Sequence, residues 1–315
     1  MTAYIVRRLL QTIPTLLVAS ILIWLMIYAL PGDPAVAVAG DNAPPEAVEA
    51  ARNRMGLDQP LVTQYLNWIG NVLRGDLGES FVTGELVSEA LARRLMPSAQ
   101  LALVAFTIAI LLSLPIAFFG ALAPRSILGR LVSAQSVLSL SIPTFWIGIL
   151  LILVLAVEMP VFPSVSDYVP LWEDPVESLR FLFLPGLTLG IYISGILGRF
   201  LRQSLTEVLR KDYVRTARSK GLRETIVVGR HAMRNALLPF VTIMGLQLGT
   251  FIGGTVVTES VFNYPGLGRL LLAAIEQRDY LVIQGATLLV IALVTLVNLL
   301  VDVIYAYLDP RISYS

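Results

Sequence analysis

Six apolar stretches, each near membrane-spanning length, recur along the 315-residue chain and govern what it can fold into. Crossing a hydrocarbon core in a helix takes about 20 consecutive apolar residues. The stretches run approximately from Leu9 to Leu30, Ala99 to Ala123, Leu131 to Val157, Phe181 to Phe200, Leu237 to Thr258 and Leu281 to Tyr305. Inside lipid every backbone polar group must be satisfied within the segment, so such runs become helices. Pro143 in the third and Pro239 near the start of the fifth are tolerated where neighbours satisfy the freed carbonyls. Only 14% of residues are charged, against about 25% in a soluble domain. The expected fold is all-α and polytopic, with six transmembrane helices.

A secretory signal is the competing reading of the first stretch, because Arg7 and Arg8 precede it and AVA at 35–37 follows. Its apolar core exceeds a signal core, and PGDP is a poor approach to a cleavage site. The expectation is therefore an interfacial lead-in over residues 1–8, with Tyr4 to Arg8 helical, and a retained span over 9–30. Lys and Arg in short loops set orientation. Arg7 and Arg8 precede the first span, Arg125 and Arg130 separate the second and third, and Arg311 follows the last. Between Arg199 and Arg234, ten Lys and Arg residues face only Glu207, Asp212 and Glu224. The loop after the third span reverses the balance, with Glu158, Asp167, Glu173, Asp174 and Glu177 against Arg180. All basic segments share one side if both termini are cytoplasmic.

The other side then holds residues 31–98, too polar to be embedded and too long for a bare connection. PPEAVEAARNR at 44–54 reads as a Pro-initiated helix with acid in its first turn. PLVTQYLNWIGNVL at 60–73 reads as an amphipathic helix, with Tyr65 and Trp68 suited to a membrane interface. The loop is either a cap over the helix ends or a docking and gating element. Residues 99–315 form the expected five-helix core, including a cytoplasmic loop over 201–236.

Small residues recur every fourth position in two spans: Gly186, Gly190, Ser194 and Gly198, then Gly245, Gly249 and Gly253. Such stripes let two backbones approach closely, for static packing or as surfaces on which helices slide. Few ionisable groups enter the spans, and Glu259 and Asp302 lie near their ends. Gln135, Gln247, Glu259 and Asn298 are the candidates for lining a pathway, with interhelical hydrogen bonding as the alternative for the amides. No cysteine exists, and His231 is the single histidine, which excludes thiolate chemistry and leaves little for metal sites. The chain lacks a G-x-x-x-x-G-K-[ST] loop, H-E-x-x-H and G-x-S-x-G, so neither ATP hydrolysis nor a membrane hydrolase is expected of it. YPGLGR at 264–269 reads as a turn into a short helix over 267–276. The basic loop beside the membrane suits anionic lipid better than nucleic acid.

Within that loop, the fourth span continues as a helix to about Lys211. Asp212 is placed to cap a following helix, on which Tyr213, Val214 and Ala217 form a small apolar face. Gly221 is placed to end it. A short basic helix punctuated in this way has the form of a docking knob.

YVRTARSKGL followed by RHAMRNALLPFV resembles the coupling loop of ABC-importer permeases, in the dipeptide/oligopeptide/nickel branch. The general motif places Gly four positions after Glu-Ala-Ala and Ile-x-Leu-Pro further on. Here Arg215, Thr216 and Ala217 stand in the first three positions, with Gly221 at the expected spacing. His231 replaces the isoleucine, and Leu238-Pro239 follows. RRLLQTIPTLL, LPGDPA, LDQPLVTQYLNWIGNVLRGDLGESF, NYPGLGRLLLAAIEQRDYLVIQG and NLLVDVIYAYLDPRISY resemble the same branch in order. The resemblance implies a type I importer architecture in a bacterial or archaeal cytoplasmic membrane. It implies a second homologous permease subunit, two ATP-binding subunits that use ATP and magnesium, and an external solute-binding protein. Tyr213, Arg215, Thr216, Ala217, Arg218, Lys220, Gly221 and Leu222 would meet an ATPase subunit. Short peptides are the leading cargo and nickel or a nickel chelate the alternative; a self-contained carrier or channel is the reading from another class.

Overall fold

In the computed structural model, residues 2–29, 33–40, 42–163 and 168–308 are described. Residues 30–32, Asp167 and Arg311, which enter the charge and motif readings, lie outside them. The chain begins with α1 (Thr2–Ala29), α2 (Pro34–Ala39), α3 (Pro45–Arg54), α4 (Leu61–Leu73) and α5 (Val87–Leu122). Next come α6 (Ile127–Ser141), α7 (Thr144–Ile152) with a π-helical extension Leu153–Glu158, and α8 (Pro175–Val208). α9 (Asp212–Ser219) precedes the single turn α10 (Glu224–Ile226), which runs through π-helical Val227–Met233 into α11 (Arg234–Gly254). α12 (Val256–Val261), α13 (Leu267–Glu276) and α14 (Tyr280–Leu308) complete the order. No strand forms among the described residues; Glu79 and Leu86 make one isolated antiparallel bridge.

The all-α polytopic fold stands. By length and apolarity, α1, α5, α8 and α14 can each cross a membrane, and the bent pair α6–α7 adds a fifth if it is one span. The fifth expected stretch forms α11, which is not among them. α11 opens on Arg234 and Asn235, and the side chain of Ile252 lies outside the described residues. The six expected spans thus keep their order, while the count by length and apolarity is four or five.

Two expectations change in detail. The lead-in and the first span are one continuous helix, Thr2–Ala29, with Pro14 inside it. The third stretch is not one rod: the chain bends by 108° between its two arms. Proline has no N–H and pushes the preceding residue out of the helical region. Accordingly Ile142 is extended at φ −95° and ψ 129°, and a new helix starts after Pro143.

The chain divides into two compact units, residues 1–98 with 265–296 and residues 99–264 with 297–315. In the first unit, Val87 and Leu91 of α5 pack with Leu267 and Ala274 of α13 and with Val282, Ile283 and Ala286 of α14. Gly285 permits this approach, since a Cβ there would lie 2.7 Å from Val87. α4 leans on α1 through Tyr65, whose ring meets Trp24 edge-on at 5.9 Å and whose hydroxyl is 2.9 Å from that of Ser20. Asp33 caps α2 by accepting from the Ala35 N–H at 2.9 Å and also pairs with Arg52 of α3. Ser80 donates to the buried Asp279 at the start of α14. The external loop of the sequence reading is therefore largely helical.

In the second unit α8 is the central element, buried along most of its length against α6, α7 and α11. Leu182, Leu189, Leu197, Leu201 and Leu205 follow the 3.6-residue helical period and supply its apolar core. α8 ends at Val208, and the basic loop begins there.

Candidate coupling loop and membrane groove

At the end of α8 the chain turns through Lys211, whose extended backbone (φ −70°, ψ 148°) occupies the cap position of α9 without a side-chain cap bond. Asp212 is therefore the first helical residue rather than the expected cap. Its carboxylate instead accepts from Arg215 at 2.6 Å, three residues on. A negative charge there still suits the start of a helix. Val214 and Ala217 turn inward and pack with Val227, with Val208 and Leu209 closing the cluster. Ala217 is only 6% exposed, so its small size serves the approach of α9 to its own loop.

The opposite face of α9 is open. Tyr213, Arg215, Thr216, Arg218, Lys220 and Leu222 are exposed. The Thr216 hydroxyl donates to the Asp212 carbonyl at 3.0 Å. Gly221 sits at φ +75° with open space around it, a left-handed turn that glycine makes without Cβ strain. Arg218 folds back onto Glu224, Nε to Oε2 at 3.1 Å and Nη2 to Oε1 at 2.6 Å. That pairing holds the Glu224 carboxyl below its ordinary range and raises the Arg218 guanidinium. Lys211 is raised in the same way by its hydrogen bond to Glu207.

Three residues of this site escape the sequence reading. Glu224 clamps Arg218, Val227 completes the apolar seat, and Asn235 donates its Nδ2 to the Tyr213 hydroxyl at 3.0 Å. Glu224 was legible only as a counter-charge. Val227 and Asn235 lie 10 or more positions from their partners, beyond any helical spacing.

The first glycine stripe faces α5. A Cβ on Gly186, Gly190 or Gly198 would come within 2.7, 2.7 and 2.6 Å of Val104, Ile108 and Ile116. Ser194 is buried in the same row and accepts from Gln135 of α6 at 3.2 Å. In the second stripe, a Cβ on Gly245 would meet Val301 of α14 at 2.3 Å, and Gly249 is buried. Gly253 is exposed with open space about it, so the contact does not extend that far.

The pathway candidates are dispersed. Gln135 makes the bond to Ser194 and leaves its buried Oε1 unpartnered. Gln247 lines a groove of about 630 Å³ with Ser141, Thr144, Tyr192 and Thr250, where the Pro143 break opens space beside α8 and α11. Glu259 is fully buried in α12 and accepts from Thr255 at 3.1 Å. Asn298 is exposed on α14. Among the described residues no group of three or more His, Cys, Asp or Glu side chains is placed to hold a metal ion.

Residues 113–314 match the model of the family described as the binding-protein-dependent transport system inner membrane component. Residues 1–102 match the model of the N-terminal part of such a membrane component. Among relatives, the glutathione transport system permease protein GsiC of Escherichia coli is 42% identical over 315 residues, all of both chains. A Brucella abortus protein, provisionally named as a peptide transport system permease, is 43% identical, also over 100% of both chains.

Proposed function

The chain belongs to the family of binding-protein-dependent transport system inner membrane components, and from that premise we propose that it is the permease subunit of an ATP-driven importer of short peptides. It is a multi-pass membrane protein. In the proposed arrangement it crosses the membrane six times with both termini cytoplasmic and pairs with a second, homologous permease subunit. Two cytosolic subunits hydrolyse ATP with magnesium, and an external binding protein delivers the cargo. Peptide cargo rests on the full-length relatives, which are named for glutathione and peptide transport.

The observation that carries the coupling role is the geometry of α9. One face is seated on Val227, Val208 and Leu209, while Tyr213, Arg215, Thr216, Lys220 and Leu222 stand outward at the end of the central helix α8. A rigidly seated knob can pass the closure of an ATPase cleft to the helices on either side of the loop. ATP binding then biases a two-state membrane element. Arg218 is engaged by Glu224, which makes it a brace of the knob.

Purification in mild detergent with identification of the recovered subunits tests the reading. ATPase subunits and a second permease should accompany the chain, and the chain alone should neither hydrolyse ATP nor move peptide. Gly221→Pro should insert normally yet uncouple peptide uptake from ATP hydrolysis. Wild-type uptake in that variant would overturn the coupling role. Replacing residues 44–73 with an unrelated linker should weaken docking of the binding protein; unchanged docking would leave those helices as a cap.

A further inference from the structure

The three acids between Arg199 and Arg234 are all engaged, Glu207 by Lys211, Asp212 by Arg215 and Glu224 by Arg218. Arg230 and Arg234 make no side-chain hydrogen bond or ion pair among the described residues. The two arginines line one cavity of about 580 Å³, and no acidic residue lines it with them. His231 and Tyr213 add polar groups to the same wall. The Tyr213 hydroxyl accepts from Asn235, which leaves its own proton for an oxygen acceptor. The remaining wall is aliphatic, formed by Leu237, Leu238 and Val241 where the chain enters its fifth apolar stretch. The π-helical turn Val227–Met233 carries Arg230 and His231 beside Arg234, and such turns recur at functional sites.

Cationic donors early in the helical run and aliphatic side chains on its following turns, all lining one cavity, match a phosphate ester carrying hydrocarbon. We propose that this cavity binds an anionic phospholipid, with the headgroup phosphate on Arg230 and Arg234 and the start of an acyl chain along Leu237, Leu238 and Val241. The second basic groove of the loop, lined by Arg199, Arg202, Arg210 and Lys211, retains Glu207 and has no aliphatic wall, so it lacks this match. Because Tyr213 belongs to α9, lipid occupancy bears directly on the coupling knob. The inference rests on the permease reading for its membrane setting and for this consequence.

The assembled transporter should be purified in detergent and its retained lipids weighed by native mass spectrometry. It should then be titrated with phosphatidylglycerol in phosphatidylcholine nanodiscs. Wild type should retain phosphatidylglycerol selectively and show peptide-stimulated ATPase activity that rises with it. Arg230→Gln with Arg234→Gln should weaken that retention about tenfold or more, the scale of losing charge-assisted hydrogen bonds. Arg199→Gln with Arg210→Gln should leave it unchanged. Equal loss in both pairs, or no selectivity in wild type, would overturn the site. Competition by inorganic phosphate at equal affinity would reduce it to a phosphate site and overturn the lipid assignment. Cross-linking of Arg230→Cys to an ATPase subunit, with no lipid retained, would give the cavity to protein instead. A chain that retains phosphatidylglycerol but recruits no ATPase would sink the permease reading and leave the lipid site standing.

Discussion

At the scale of single residues, the proposed coupling loop is controlled by a few short contacts. Ala217 of α9 is seated against Val227, and adding volume to a packed position costs about 1–3 kcal/mol. Ala217→Leu should therefore lift α9 from its seat. Amide hydrogen exchange over 212–219 should quicken in the assembled transporter, and peptide-stimulated ATPase activity should fall. Exchange as slow as in wild type would contradict the seat. Arg218 and Glu224 are about half exposed, so their pair adds little to stability and is screened by salt. Its pH dependence nevertheless has a definite sign. The Glu224 carboxyl is depressed in the folded loop by its hydrogen bonds from Arg218. Its stabilisation is thus complete above the ordinary carboxylate range and is lost as pH falls through the lowered value. A carboxyl NMR titration should place Glu224 below a reference peptide, and Arg218→Gln should bring it back.

At the scale of elements, the two glycine stripes make different demands. Gly190 lies so close to Ile108 that a Cβ would meet it at 2.7 Å, with the Ala105 carbonyl at 3.1 Å behind. Gly190→Ala should lower stability by about 1–3 kcal/mol, through overpacking that backbone cannot readily relieve. Gly253 has nothing within 4 Å. Gly253→Ala should melt at or slightly above wild type, because alanine favours helix by up to about 1 kcal/mol over glycine. Thermal unfolding of the full chain in detergent compares the two, and equal melting would remove the packing role from the first stripe. Spacing alone made both stripes legible, since small residues every fourth position must share a face. It could not tell that one stripe meets Val104, Ile108 and Ile116 while the other ends in open space. The same divide runs through the fold. The helix over 267–276 and the Pro-initiated helix near 44–54 were readable because their start and stop signals are local. The inward turn of Ala217 and the Asn235–Tyr213 bond depend on residues distant in sequence. The cap at Asp212 failed for a subtler reason: a carboxylate near a helix start can serve backbone N–H groups or a nearby arginine, and Arg215 takes it.

At the scale of the whole molecule, topology turns on the bent pair α6–α7. Each arm, Ile127–Ser141 and Thr144–Glu158, holds 15 residues or about 22 Å of helix. Bent by 108°, so that about 72° lies between them, the arms place their far ends about 26 Å apart, slightly less than the ~30 Å hydrocarbon core. Length alone therefore permits either a bent crossing or a re-entrant loop. Charge separates the two. Arg125 precedes the first arm and Arg130 lies near its start, whereas Glu158 ends the second and Glu173, Asp174 and Glu177 follow it, with Arg180 as the one nearby cation. In the proposed orientation the basic loops are cytoplasmic, which would put the two ends on opposite faces. Because the chain contains no cysteine, single cysteines can report this directly. Arg130→Cys and Lys220→Cys should react with a membrane-impermeant thiol reagent only from the cytoplasmic side, and Glu158→Cys and Glu173→Cys only from outside. Labelling of Arg130→Cys and Glu158→Cys from one side would make the pair re-entrant. The chain would then cross five times, and its two ends would emerge on opposite faces of the membrane.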